Sequence, residues 1–203
     1  GASGFMVFKL SAHLTLIALS PLPVFVVSII LFGRIIRPLY ERIREEFFKI
    51  LSSPRAAGTI LQMDRIGLLA GVIPQITGMY RIKQGGYHHL DVWGHTLTAL
   101  SEFEKVAAEF LKDEEVRAYL SEPLAKEHSR LALLKLAVIL HDIGKPKTLR
   151  KIDGKLTFHG HERVGDEVAN YIARMLKLST KERFALRTMV LWHLRPGYLS
   201  NFR

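Results

Sequence analysis

The chain has 203 residues, enough for one domain, or a domain with an appendage, and for a sizeable core. It has no cysteine, which excludes disulfides and thiolate zinc sites, so any metal must be held by His, Asp, Glu and water. Its 29 Lys and Arg against 19 Asp and Glu leave a formal charge of +10, which favours a polyanionic partner: nucleic acid, a phosphorylated substrate or an acidic membrane surface.

Residues 1–40 form a hydrophobic N-terminal segment without Asp or Glu, in which only Lys9, Arg34 and Arg37 carry full charge. From Leu14 to Phe32 there are 19 uncharged residues, about the length that spans a bilayer, and Arg34 and Arg37 would then hold the rest of the chain in the cytoplasm. Ser20-Pro21-Leu22-Pro23 argues against a span, because prolines in the middle of the run would break a helix. The β-branched segments Leu14–Leu19 and Val24–Phe32 can instead form a hairpin or buried core pieces. Gly1-Ala2-Ser3-Gly4 reads as an internal start or a cloning remnant, and Asn201-Phe202-Arg203 breaks off just after a functional motif, so the chain is expected to be a fragment.

Residues 41–84 are expected to form a helical neck. Ile43, Phe47, Ile50 and Leu51 fall on one helical face, and Ser53-Pro54 supplies an N-cap and a first-turn proline for a second helix through Met63 to about Ile66. The domain that follows is placed at residues 85–203. His88-His89 precede Asp91, a candidate N-cap for a long helix with His95 in its first turn. His128 is read as a surface residue. The apolar run Leu133–Leu140 then delivers His141-Asp142, with Gly144 and Pro146 to stop the helix.

Asp153-Gly154 between short extended runs predicts a small hairpin. After it, His161 opens a helix with Val164, Val168, Tyr171, Ile172 and Met175 inward. Ser179 and Glu182 form a capping box for a last helix that ends at Trp192-His193. The fold class expected is all-α, a helical bundle with one small β-hairpin.

His95, His141, Asp142, His161 and His193 thus all fall at helix ends or adjoining turns, where a bundle can bring them to one site. Burying an imidazole beside a carboxylate is costly unless something compensates it, and a divalent metal does so. Such a donor set suits iron, manganese, nickel or magnesium better than a closed structural zinc site. The chemistry that follows is hydrolysis, with Lys145 placed to stabilise a phosphoryl group and Arg195 a second candidate for phosphate.

His95, His141-Asp142-Ile143-Gly144-Lys145, His161 and His193 together resemble the metal-binding pattern of the HD superfamily of phosphohydrolases. Glu41–Phe47, Leu51–Ala56, His88–Thr96 and Gly160-His161-Glu162 resemble bacterial tRNA nucleotidyltransferase/poly(A) polymerase proteins that carry an HD domain. The resemblance covers about residues 40–203. It implies an all-α HD domain that binds a divalent metal and hydrolyses phosphomonoesters or 2′,3′-cyclic phosphodiesters, attached to an enzyme of the tRNA 3′ end.

On that basis His95, His141 and Asp142 would hold the principal metal, with Asp142 and Lys145 as catalytic residues. His161 and His193 would complete a second position or contact phosphate, and His88, His89, Lys145 and Arg195 would contact phosphate or RNA. The expected partner is a phosphorylated nucleotide or RNA 3′ end, with tRNA as a candidate, in the cytoplasm. The rival reading is a non-catalytic RNA-binding module. Two departures bear on it: the family pattern closes with a further Asp, whereas no Asp follows Asp166, and no Asp-x-Asp pair of the polymerase type occurs.

Overall fold

The computed structural model describes residues 14, 17, 19–85, 89–125 and 127–200. The chain divides into two compact units, residues 1–43 and 44–203.

The first unit carries most of α1, Leu22–Ser52, which runs on through Pro38. Val24–Phe32 is therefore neither a hairpin nor a buried core piece: it is helical, and Val24, Phe25, Ile29 and Phe32 are more than half exposed. The prolines do not break this helix because Pro21 precedes it and Pro23 lies in its first turn, where a missing N–H leaves no bond unmade; the Pro21 carbonyl accepts from Phe25 N at 3.0 Å. Of the expected segment Leu14–Leu19, Leu14, Ile17 and Leu19 are helical and exposed, and the rest lies outside the described residues.

In the second unit the last turns of α1 bury Phe47, Phe48 and Leu51, and Arg44 turns inward, bonding the Leu176 carbonyl; Ile43, the last residue of the first unit, is exposed rather than on the buried face. Helix α2, Ala56–Arg65, begins later than Ser53-Pro54 suggests, and no side chain of its own caps it. Its first amides are capped across the fold by Glu104, at 2.6 Å from Ala56 N and 3.1 Å from Ala57 N, and the same oxygen receives the buried Lys135 ammonium at 2.7 Å. Helix α3, Leu68–Val72, and a 3₁₀ turn, Pro74–Met79, complete the neck.

The central element is α6, Arg130–Leu140, with Leu131, Leu133, Leu136, Ile139 and Leu140 all buried. A helix apolar all round belongs in the middle of a bundle. It packs against α4, Val92–Phe110, and against α9, Thr180–Trp192. Between α4 and α6 runs α5, Glu114–Ser121; after α6 come α7, Lys145–Thr148, and the hairpin β1, Arg150–Ile152, with β2, Lys155–Thr157. The hairpin turn has Asp153 and Gly154 at φ 49° and 78°, the type I′ geometry expected of Asp-Gly.

Helix α8, His161–Met175, pairs with α9 through a face of small residues, Gly165, Ala169 and Ala173, with Ile172. Tyr171, expected inward, is exposed, because the buried stripe follows the small residues that let the two backbones approach. His128 is buried rather than at the surface: its ring bonds Glu182 at 3.0 Å and packs, tilted by 40°, against Phe48. The chain closes with α10, Arg195–Ser200. The fold is all-α with a single hairpin among the described residues.

Candidate metal centre

Four helix ends meet at one point. Asp91 caps α4 by accepting from Gly94 N at 2.7 Å and so fixes His95 in the first turn. His141 is the C-cap of α6, His161 the first residue of α8 and His193 the C-cap of α9. Gly144 lets these ends close up. Its φ of −83° is ordinary, so it is not there for a left-handed cap as the helix-stop reading has it. A Cβ on Gly144 would instead strike the His161 carbonyl and lie 2.6 Å from Gly165 N.

Asp142 sits at the middle, 2% exposed. Its Oδ2 lies 3.1 Å from His141 Nε2, 3.7 Å from His95 Nε2 and 2.7 Å from Lys145 Nζ, and its Oδ1 lies 3.4 Å from His161 Nε2 and 3.8 Å from His193 Nε2. Donor atoms of His95, His141 and Asp142, and of Asp142, His161 and His193, come within 4.8 Å of one another in two groups that share the aspartate.

The far side of each ring decides which tautomer faces inward. Nδ1 of His141, His161 and His193 lies 2.7, 2.9 and 2.7 Å from the carbonyls of Val138, Phe158 and Val190, an arrangement that requires Nδ1–H. A neutral imidazole then turns an Nε2 lone pair to the centre, the orientation that metal-binding histidines take. His161 Nε2 and His193 Nε2 are 3.3 Å apart. Two lone pairs at that distance, beside a carboxylate, repel unless a cation or proton lies between them. The donors present therefore fit a divalent ion.

A proton on Nε2 stands in for that cation and turns His141 and His161 into donors toward Asp142. Burial pushes the Asp142 carboxyl up, but hydrogen bonds from His141 and His161 and the charges of His141 and Lys145 hold it far below the usual carboxylate range. His161 is drawn down by burial yet ends raised, through its bonds to Asp142 and the Phe158 carbonyl. His193 is lowered, chiefly by burial and by the neighbouring imidazoles His141 and His161.

Lys145 is not a free surface lysine: besides Asp142 it donates to Gln84 Oε1 at 2.6 Å. Gln84 had no signal in the sequence, being a lone amide in a loop. Lys145 and His161 also line a cavity of about 530 Å³ that Phe158, Trp192 and Arg195 share. Arg195 is exposed, its guanidinium 4.0 Å over the Trp192 ring. His89 is exposed and outside the histidine cluster, and His88 lies outside the described residues. Asp166, the last aspartate, is held bidentately by Arg187 at 2.7 Å on both oxygens.

Residues 40–79 match a family described as the probable RNA and SrmB-binding site of polymerase A. The chain is 36% identical over 148 residues to an A-adding tRNA nucleotidyltransferase of Deinococcus radiodurans, a match covering 72% of this chain and 30% of that protein. It is 36% identical over 135 residues to a CC-adding tRNA nucleotidyltransferase of Thermus thermophilus, covering 65% and 26%. A bifunctional uridylyltransferase/uridylyl-removing enzyme of Azospirillum brasilense is 32% identical over 143 residues, 14% of its length. The chain thus spans less than a third of each of these relatives. Residues 92–199, more than half of the chain, match the HD domain, and the chain belongs to the HD domain family.

Proposed function

We propose that residues 85–203 form a divalent-metal-dependent phosphohydrolase, acting on a phosphomonoester or 2′,3′-cyclic phosphodiester at a nucleotide or RNA 3′ end. Residues 41–84 are its RNA-facing neck, in a protein of the tRNA nucleotidyltransferase type. The observation that supports this is the convergence of inward-facing imidazole nitrogens on the buried Asp142 carboxylate.

His95, His141 and Asp142 would hold the principal ion, with His161 and His193 offering a second position or contacting phosphate. Nickel, manganese, magnesium and iron all suit these donors. Such an ion, when bound, supplies Lewis acidity and a hydroxide nucleophile near neutral pH. The chain's own residues orient the reaction. The Val138, Phe158 and Val190 carbonyls fix the rings, Lys145 keeps Asp142 ionised and presents positive charge toward a phosphoryl oxygen, and Arg195 lines the adjoining cavity.

The test is hydrolysis of 2′,3′-cyclic nucleotides and p-nitrophenyl phosphate with nickel, manganese or magnesium, by wild type and by His141→Ala/Asp142→Ala. The double variant is expected to lose activity, and activity surviving in it would end the assignment.

Three observations favour two other readings. The RNA-binding match at residues 40–79 and the charge of +10 suit a non-catalytic module that positions tRNA. Metal-free purified protein with salt-sensitive tRNA affinity would decide for it. Helix α1 is long and apolar enough in its first half to cross a membrane. That favours a tethered form with the centre on the cytoplasmic side, and flotation with phospholipid vesicles that is lost on deleting residues 22–39 would establish it.

A further inference from the structure

The cavity beside the centre has more than a phosphate needs. Its volume of about 530 Å³ is that of a small-molecule site, and it shares Lys145 and His161 with the histidine–aspartate cluster. Two aromatic residues line it. Trp192 is 46% exposed, although it adjoins His193, and the Arg195 guanidinium carbon lies 4.0 Å from the centre of its ring. Phe158 holds His161 through its carbonyl, and Lys145 Nζ lies 5.5 Å from the centre of its ring.

Each aromatic ring is thus within a turn of an imidazole of the centre and carries a cation close to it. The core of α9 is filled by Leu186 and Val190, so the Trp192 indole stays half in water beside the cleft. Aromatic and guanidinium planes beside positive charge are how proteins hold an unpaired base with its phosphate.

We infer that the cavity lined by Phe158, Trp192 and Arg195 is a base-stacking subsite that takes the terminal base of a nucleotide or single-stranded 3′ end while its phosphate faces the histidine–aspartate centre. The proposal rests on the phosphohydrolase reading for what happens to that phosphate, but not for binding. Stacking uses a face that all four bases own, so the site accepts each of them, with the larger purines ahead. A base inside a duplex is stacked on its neighbours and does not enter.

Trp192 is its own reporter. Titrating the protein with adenosine monophosphate should quench tryptophan fluorescence, and ribose 5-phosphate, the same phosphate without a base, should bind about tenfold more weakly by calorimetry. Trp192→Phe should remove the quench and keep the affinity, whereas Trp192→Ala should weaken adenosine monophosphate about tenfold. Equal affinity for the two ligands in wild type, which needs no variant to fold, would overturn the subsite. So would an unchanged affinity in Trp192→Ala. Base preference without hydrolysis of any phosphate ester would overturn the phosphohydrolase alone, and hydrolysis without base preference the subsite alone.

Discussion

At the scale of single residues, the centre depends on one that carries no functional group. Gly144 brings the end of α6 against the start of α8, and any side chain there meets the His161 carbonyl and Gly165 N. Because these are backbone atoms they cannot swing aside. Gly144→Ala is therefore expected to destabilise by about 3 kcal/mol, the upper range for overpacking, and to weaken metal binding in the same variant. Urea midpoints and metal titration check both; an unchanged midpoint would mean the contact relaxes freely.

The residue types that gather round Asp142 were legible in the sequence because helix-end histidines beside punctuating glycines are uncommon as a set. The reason for Gly144 was not legible, since close approach depends on a partner helix that lies 17 to 21 positions later. Gln84 was hidden for the same reason: its contact to Lys145 spans 61 positions.

At the scale of elements, local signals succeeded where the cap is local and failed where it is not. Asp91 and the Ser179–Glu182 box lie within a turn of the helices they start, and both caps formed. Helix α2 is capped by Glu104, 48 positions away, which a local pattern cannot show. Glu182 goes further than its own box, because the same carboxylate receives His128 ahead of α6 and so ties the starts of α6 and α9.

Burial raises the Glu182 carboxyl, but its bonds to Ser179 and His128 outweigh this and leave it lowered from 4.5. A lowered folded pKa means stability that is complete above the unfolded value and is lost as pH falls through the folded one. Wild-type urea midpoints should thus fall below pH 4.5 more steeply than those of Glu182→Gln, which keeps the cap acceptor without the charge. Parallel acid limbs would show that the bond carries no linkage.

At the scale of the whole molecule, the centre is where the chain is closed on itself. His95, His141, His161 and His193 belong to α4, α6, α8 and α9, so an ion gripping them joins helices that the unfolded chain leaves far apart. Binding that requires the folded arrangement adds RT ln(1 + [L]/Kd) to stability, about 2.7 kcal/mol at a hundredfold excess over Kd. For a domain of this size each kcal/mol is worth roughly 2–4 °C in Tm. Manganese or nickel at that excess should therefore raise Tm by about 5–11 °C, and chelation should return it. His141→Ala/Asp142→Ala should show no such rise, since it removes donors from both groups. A rise of equal size in that variant would place the ion elsewhere, and no rise in wild type would mean that protons and Lys145, not a divalent ion, neutralise the buried donors.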